Sequence, residues 1–235
     1  MKFAFLQEPP FCFTDETGKV LGCDVELARM VCDELGMTDF QPVEAEFAEL
    51  LPGLNAGRWT MTTGLFVSAE RERTVDFTQP IWSLNDGLLV WNGNPRGIVG
   101  YQSIAADAKT TLGVITDQIQ HQTALENGVA PERISLFATQ AEAAEAVANG
   151  KVHAYASVAM AHRGYLARSP DAPLEVVDVP IIEKQPAFGA FALAKSNADL
   201  RRRIDLCLDK LLGSVWHGGM MQRYGFAASE VDRIL

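Results

Sequence analysis

Short apolar and aromatic runs alternate along this chain with helical periodicities, and several of the helical runs stop at a glycine. Phe3–Phe5, Phe11–Phe13, Val20–Leu21 and Thr60–Leu65 read as strands in the first third. Between them, Val25, Ala28, Val31, Cys32 and Leu35 recur at helical spacing after Asp24, read as the cap, and Gly36 ends the run. Phe47–Asn55 is a second helix, with Gly57 after it. Leu88–Trp91 is a strand followed by the loop Asn92-Gly-Asn-Pro-Arg-Gly97, and the pattern then restarts. Thr111–Ile115, Val152–Ala156, Leu174–Val179 and Phe188–Ala194 read as strands. Gln118–Asn127, a helix from the Thr139-Gln-Ala-Glu142 capping box to Asn149, and Ala159–Ala167 read as helices. Asp199–Leu212 is amphipathic, and Met220–Tyr224 lies in a short last helix. Alternation of this kind implies an α/β class with mostly parallel sheets. Two such blocks, roughly 1–87 and 92–183, imply two lobes, and a cleft between α/β lobes is a natural place for a small molecule.

Charge and hydropathy narrow the partners. The 235 residues carry a net charge of −10, with 48% hydrophobic and 21% charged residues. A nucleic-acid surface needs clustered Lys and Arg, and Arg201-Arg202-Arg203, the one basic run, sits in a helical pattern as a solvated face. No apolar run is long enough to span a bilayer. Met1–Leu6 runs directly into Glu8-Pro-Pro10, too short for an apolar signal core. The chain therefore reads either as cytoplasmic or as starting after a removed export signal. Cys12, Cys23, Cys32 and Cys207 lack metal-site spacing. Cys32 and Cys207 fall on apolar helical stripes. Cys12 and Cys23 flank the hairpin turn at Asp15–Gly18 with the same parity, so hairpin register decides whether a disulfide is possible between them.

The segment Gly64-Leu-Phe-Val-Ser-Ala-Glu-Arg-Glu-Arg-Thr-Val-Asp-Phe77 follows a strand and sets Arg71 five residues beyond Phe66. Arginine suits a carboxylate, which it holds by two parallel hydrogen bonds, and an aromatic face suits an organic cation. Together they point to a small zwitterion. On these residues alone, a solvated charged turn is the simpler reading.

The ordered markers Pro10-Phe11-Cys12-Phe13, Gly22–Ala28, Leu50–Gly57, Gly64–Phe77, Thr78-Gln-Pro80 and Gln222-Arg-Tyr-Gly225 span nearly the whole chain. In them the chain resembles the type II periplasmic solute-binding proteins, in the polar-amino-acid branch that serves ABC importers (extracellular solute-binding protein family 3). The resemblance implies two Rossmann-like lobes with mixed, mostly parallel sheets and two hinge strands, near Gly87–Val90 and Gly189–Ala192. The lobes would comprise 1–88 plus 189–235, and 89–188. It further implies cleft closure on a ligand, a membrane permease as partner, a periplasmic or extracellular location with the export signal removed, and a monomer without cofactor or metal.

The resemblance also assigns roles. Arg71 takes the ligand carboxylate. Amino-acid binders place a Thr or Ser at the position of Phe66, and an Asp in the second lobe where this chain has Ala154-Tyr-Ala-Ser-Val-Ala159. Both usual contacts for a free α-ammonium are therefore replaced. Glu8, Phe11, Phe66 and Arg71 reproduce instead the spacing of ectoine and hydroxyectoine binders, and betaines would satisfy the same physics. Phe11, Phe47 and Phe66 are expected to line the cation's side, with Gly64 and Ser68 beside Arg71. Thr116, Gln118 and Ile119, at a helix N-terminus, and Ser157 are expected contacts from the second lobe. Alternatives left open are an ordinary polar amino acid or opine, a sensor domain, and an enzyme such as a cyclohexadienyl dehydratase. An enzyme needs a positioned general acid, and His121, His153, His162 and His217 show no nucleophile partner or metal spacing.

Overall fold

The computed structural model describes residues 1–231, which divide into two compact units, 1–83 with 187–231 and 84–186. The first stretch runs β1 (Lys2–Phe5), β2 (Phe13–Thr14), β3 (Val20–Leu21), α1 (Cys23–Glu34), β4 (Gln41–Glu44), a 3₁₀ turn (Phe47–Glu49) leading into α2 (Leu50–Asn55), β5 (Met61–Phe66), β6 (Val75–Phe77) and β7 (Trp82–Leu84). There follow β8 (Asp86–Trp91), α3 (Tyr101–Ala106), β9 (Leu112–Ile115), α4 (Ile119–Glu126), β10 (Ile134–Phe137), α5 (Gln140–Ala148), β11 (Ala154–Val158), α6 (Ala159–Arg168) and β12 (Leu174–Asp178). The chain then returns to the first unit with β13 (Ala187–Ala194), α7 (Ala198–Leu211), α8 (Val215–Arg223) and α9 (Ala228–Val231).

In the first unit the sheet order is β4-β1-β5-β13-β6, with β7 also pairing β13. β1 is parallel to β4 and β5, whereas β13 is antiparallel to β5 and β6. Phe3, Phe5, Met61, Leu65 and Phe191 are buried on this sheet, and Phe3 meets Phe191 edge-on at 5.9 Å. In the second unit the order is β10-β9-β11-β8-β12, with β9 parallel to β10 and β11 and β8 antiparallel to β11 and β12. Leu88, Val90, Leu112, Val114, Ala154 and Ala156 form its core with Tyr101 and Ile104 of α3. The fold is thus α/β with mixed sheets.

Local chemistry explains most element ends. Thr139 Oγ1 accepts from the Glu142 amide, and the Glu142 carboxylate accepts from the Thr139 amide, closing the capping box that starts α5. Gly150 follows that helix with φ +67, a left-handed conformation that a side chain resists. Two sequence expectations are corrected. Asp24 does not cap α1: Gly22 is the cap, and Asp24 lies in the first turn with its side chain buried. Phe11 is not in a strand. It belongs to a tight turn closed by the Glu8–Cys12 bridge, and the strand begins at Phe13.

All four cysteines are buried free thiols, Cys12 and Cys23 included. Burial, then the Asp24 carboxylate, pushes the pKa of Cys12 and of Cys23 well above the ordinary thiol value. Burial likewise raises Cys32, to about 11, and Cys207. A thiol held protonated is a poor nucleophile. Native protein is therefore expected to react very slowly with Ellman's reagent at neutral pH, and all four thiols are expected to titrate once the chain is unfolded without reductant. Recovery of only two after unfolding would mean that Cys12 and Cys23 are joined.

Candidate functional site

The first unit gathers its candidates around the end of β5. Opposite β13, Phe66 pairs Gly189 and Leu65 pairs Ala190, but Thr62 pairs Ala192. Thr63 and Gly64 together therefore face Phe191 alone, a bulge at which Gly64 takes φ +78. Because strand side chains alternate, this extra residue resets which face Leu65 and Phe66 present. A Cβ on Gly64 would come within 3.2 Å of Leu6. Gly64, expected as a contact, thus has a clear role in aiming Phe66.

After β5 the chain turns back. The Arg71 amide donates to Ser68 Oγ at 3.3 Å, and the Glu72 amide donates to the Ser68 carbonyl at 3.0 Å. Arg71 Nη1 donates to the Phe66 carbonyl at 2.9 Å, and its Cζ lies 5.4 Å from the centroid of the Phe47 ring. Phe47, Phe66, Ser68 and Arg71 are brought together, and the guanidinium is held at a fixed orientation. The Phe47 ring thus faces the Arg71 guanidinium.

Glu8 and Phe11 occupy the two ends of the tight turn, with the Phe11 amide donating to the Glu8 carbonyl at 3.1 Å, and both residues are buried. The Phe11 ring lies 5.4 Å from Trp82 and meets Phe226 edge-on at 5.7 Å. The Phe66 ring meets Trp82 edge-on at 5.6 Å. Trp82 therefore stands between the two predicted cation platforms. Trp82 is not among the candidates that the sequence singles out. Gly189 makes room for it, since a Cβ there would fall 1.8 Å from its ring.

Behind Trp82 is an acid that sequence reasoning also missed in this role. Trp82 Nε1 donates to Asp24 Oδ1 at 3.1 Å, the Thr63 hydroxyl donates to Asp24 Oδ2, and Cys23 Sγ lies 3.4 Å from Oδ1. Burial raises the Asp24 pKa to about 6 against the opposing pull of these donors, Thr63 first.

The second unit places Thr116, Gln118 and Ile119 in one loop. The Thr116 hydroxyl donates to the Phe137 carbonyl at 3.2 Å. Gln118 is the N-cap residue of α4, its Oε1 buried without a hydrogen bond, and Ile119 opens the helix. Asp117 precedes the cap with φ +64. Ser157 is buried in β11, opposite Gly87 of β8. One register step on, Val158 pairs Asp86, a buried acid that accepts from Tyr101 Oη at 2.6 Å and Gln120 Nε2 at 2.9 Å. Burial raises the Asp86 pKa. His162 is fully buried against the Gly87 carbonyl at 3.2 Å and is pushed down to about 3 by that burial, so it is neutral. Among the described residues no three His, Cys, Asp or Glu side chains gather where a metal ion would sit.

Comparison with known proteins gives these features a context. The sequence profile of the bacterial extracellular solute-binding proteins, family 3, matches residues 1–226. The chain belongs to this family. Family 3 members are solute-binding proteins, and a probable amino-acid ABC transporter periplasmic-binding protein of Sinorhizobium fredii is 32% identical over 98% of this chain and 78% of its own length. Among solved structures, EhuB in complex with hydroxyectoine superposes with a TM-score of 0.88 at 28% identity, covering 97% of this chain and 88% of its own. An ancestral amino-acid-binding protein described as a precursor of cyclohexadienyl dehydratase superposes at 0.83, with coverage of 95% and 94%, but at 22% identity it shows the fold alone. The fold of this family 3 chain is that of the type II periplasmic binding proteins.

Proposed function

We propose that this chain is the solute-binding component of an amino-acid-type ABC importer and captures a small zwitterion whose cation is spread or alkylated, as in ectoine, hydroxyectoine or a betaine. The observation that carries the reading is the pairing, within one unit, of an aromatic nest with a fixed guanidinium. Phe11 and Phe66 converge on Trp82 near Glu8, and Arg71 is stacked over Phe47. Rings and a carboxylate suit a cation with few N–H groups, and a planar fork suits a carboxylate. A phenylalanine at position 66 offers no hydroxyl to a free ammonium. Thr116, Gln118, Ile119 and Ser157 are the contacts that the second unit offers in this reading. The hydroxyectoine complex of EhuB supports the choice of ligand class, and the Sinorhizobium fredii relative supports the transporter role. The permease is then the membrane partner, and the protein works outside the cytoplasm.

A thermal-shift screen tests this with ectoine, hydroxyectoine, glycine betaine, proline betaine, an opine and the common amino acids. A ligand at a hundredfold its Kd adds about 2.7 kcal/mol to stability, which is readily seen. Shifts are expected with ectoine-like solutes or betaines and not with plain amino acids, and Phe66→Ala is expected to remove them. Shifts confined to α-amino acids would overturn the ligand class while leaving the transport role. No shift with any of these solutes would count against the zwitterion reading as a whole.

A further inference from the structure

Asp24 touches every element that builds the aromatic nest of the first unit. Its backbone N–H donates to the Phe11 carbonyl at 3.1 Å, fixing the turn that carries that ring. One carboxylate oxygen accepts from Trp82 Nε1 at 3.1 Å and the other from the hydroxyl of Thr63, in the β5 bulge just before Phe66. The side chain is 1% exposed, and all the side chains that hydrogen-bond to it are neutral. The titratable groups around it are the thiols of Cys23, beside it in sequence, and of Cys12, with the Glu8 carboxylate acting on Cys12 from the same turn. None of these groups supplies a positive charge. A buried carboxylate without a cation is an expensive way to join three elements, since desolvation opposes it and a neutral amide would make similar hydrogen bonds. Perturbed acids of this kind concentrate at functional sites.

We propose that Asp24 is the positioning residue and buried counter-charge for the cation half of the site, acting through Trp82. This inference rests on the zwitterion reading above. The carboxylate orients the indole by its N–H and, in a low-dielectric surround, adds negative potential behind Phe11 and Phe66. A tenfold change in cation affinity corresponds to about 1.4 kcal/mol of attraction, which is within reach of a unit charge at an effective dielectric constant near 20. The structure thus trades folding stability for affinity at this position, and the two respond in opposite directions when the charge is removed.

The test uses Asp24→Asn, Trp82→Phe and the double variant, with hydroxyectoine as the probe, titrated calorimetrically at neutral pH. Asp24→Asn is expected to bind about tenfold more weakly while the ligand-free protein resists denaturant better than wild type. Trp82→Phe removes the N–H but leaves the carboxylate, so the double variant is expected to bind more weakly than Trp82→Phe, by less than Asp24→Asn costs the wild type, because the part carried through the indole is already lost. In ¹⁵N-labelled protein, the Trp82 indole N–H resonance is expected to shift in Asp24→Asn. Losses that add, an unmoved indole resonance, or an unchanged Kd in Asp24→Asn would each overturn the role of Asp24. Loss of stability and affinity together would make Asp24 a merely structural residue and overturn it as well. Failure of the wild-type protein to bind hydroxyectoine or any solute of the screen would instead overturn the zwitterion reading on which the inference stands.

Discussion

Arg71→Ala is expected to abolish solute binding, raising the Kd by at least two orders of magnitude. A guanidinium that meets a carboxylate with two charge-assisted hydrogen bonds contributes about 3–4 kcal/mol, or ~10²- to 10³-fold in affinity. The geometry on the protein side is already assembled. Nη1 is anchored on the Phe66 carbonyl at 2.9 Å, and the guanidinium lies 5.4 Å from the Phe47 centroid. Little ordering entropy remains to oppose binding. Arg71→Lys keeps the charge but loses the planar fork and the anchor on Phe66, so most of the loss is expected to persist. Phe47→Leu is expected to weaken binding by only about tenfold, since it removes a platform worth ~1–2 kcal/mol and leaves the fork intact. Calorimetric titration of the three variants checks the series. An Arg71→Ala protein that binds within threefold of wild type would remove Arg71 from the site.

How far the sequence announces such a site depends on the range of the interactions. The α/β class was legible because alternation, capping residues and terminal glycines are local signals, and Thr139 with Glu142 marked the start of α5 as the structure shows it. The grouping of Phe66, Ser68 and Arg71 was legible for the same reason, as they lie on one strand and the turn after it. The edge strand Gln41–Glu44 escaped notice because it is polar and contains Pro42, which an edge tolerates. Trp82 and Asp24 escaped notice because they meet across 58 positions of sequence. An Asp two residues after a glycine, before a helical run, looks like a cap, and only the β5 bulge and β7 show that its side chain turns inward. Asp86 was hidden likewise. It lies at the start of a strand read from Leu88, and its partners Tyr101 and Gln120 come from two helices.

The Asp24 carboxyl is also expected to dominate one part of the pH dependence of stability. Its pKa rises from the ordinary 3.8 to about 6 in the folded protein, chiefly by burial. Below 3.8 both folded and unfolded chains carry the proton, and the residue imposes no penalty. Between 3.8 and about 6 the folded chain holds a proton that the unfolded chain has released, so stability falls as pH rises. Above about 6 the full deficit is present, ~3 kcal/mol at about 1.4 kcal/mol per pKa unit. Asp24→Asn removes the titration while preserving the shape, because the Thr63 hydroxyl can reverse its hydrogen bond to meet the new amide. The variant is therefore expected to match wild type near pH 4 and to exceed it by ~3 kcal/mol near pH 8 in the absence of ligand. Asp86, also raised by burial, acts in the same sense, and some groups act in the opposite one. His162, pushed down to about 3, lowers stability as pH falls below the ordinary 6.5. The difference between the two proteins cancels these shared contributions, so denaturant titrations of both across the range isolate Asp24. A difference that stays constant with pH would mean that the carboxyl does not titrate in this window. A difference that opens as pH rises, together with weaker solute binding by the variant, would place a destabilising charge where the aromatic nest uses it.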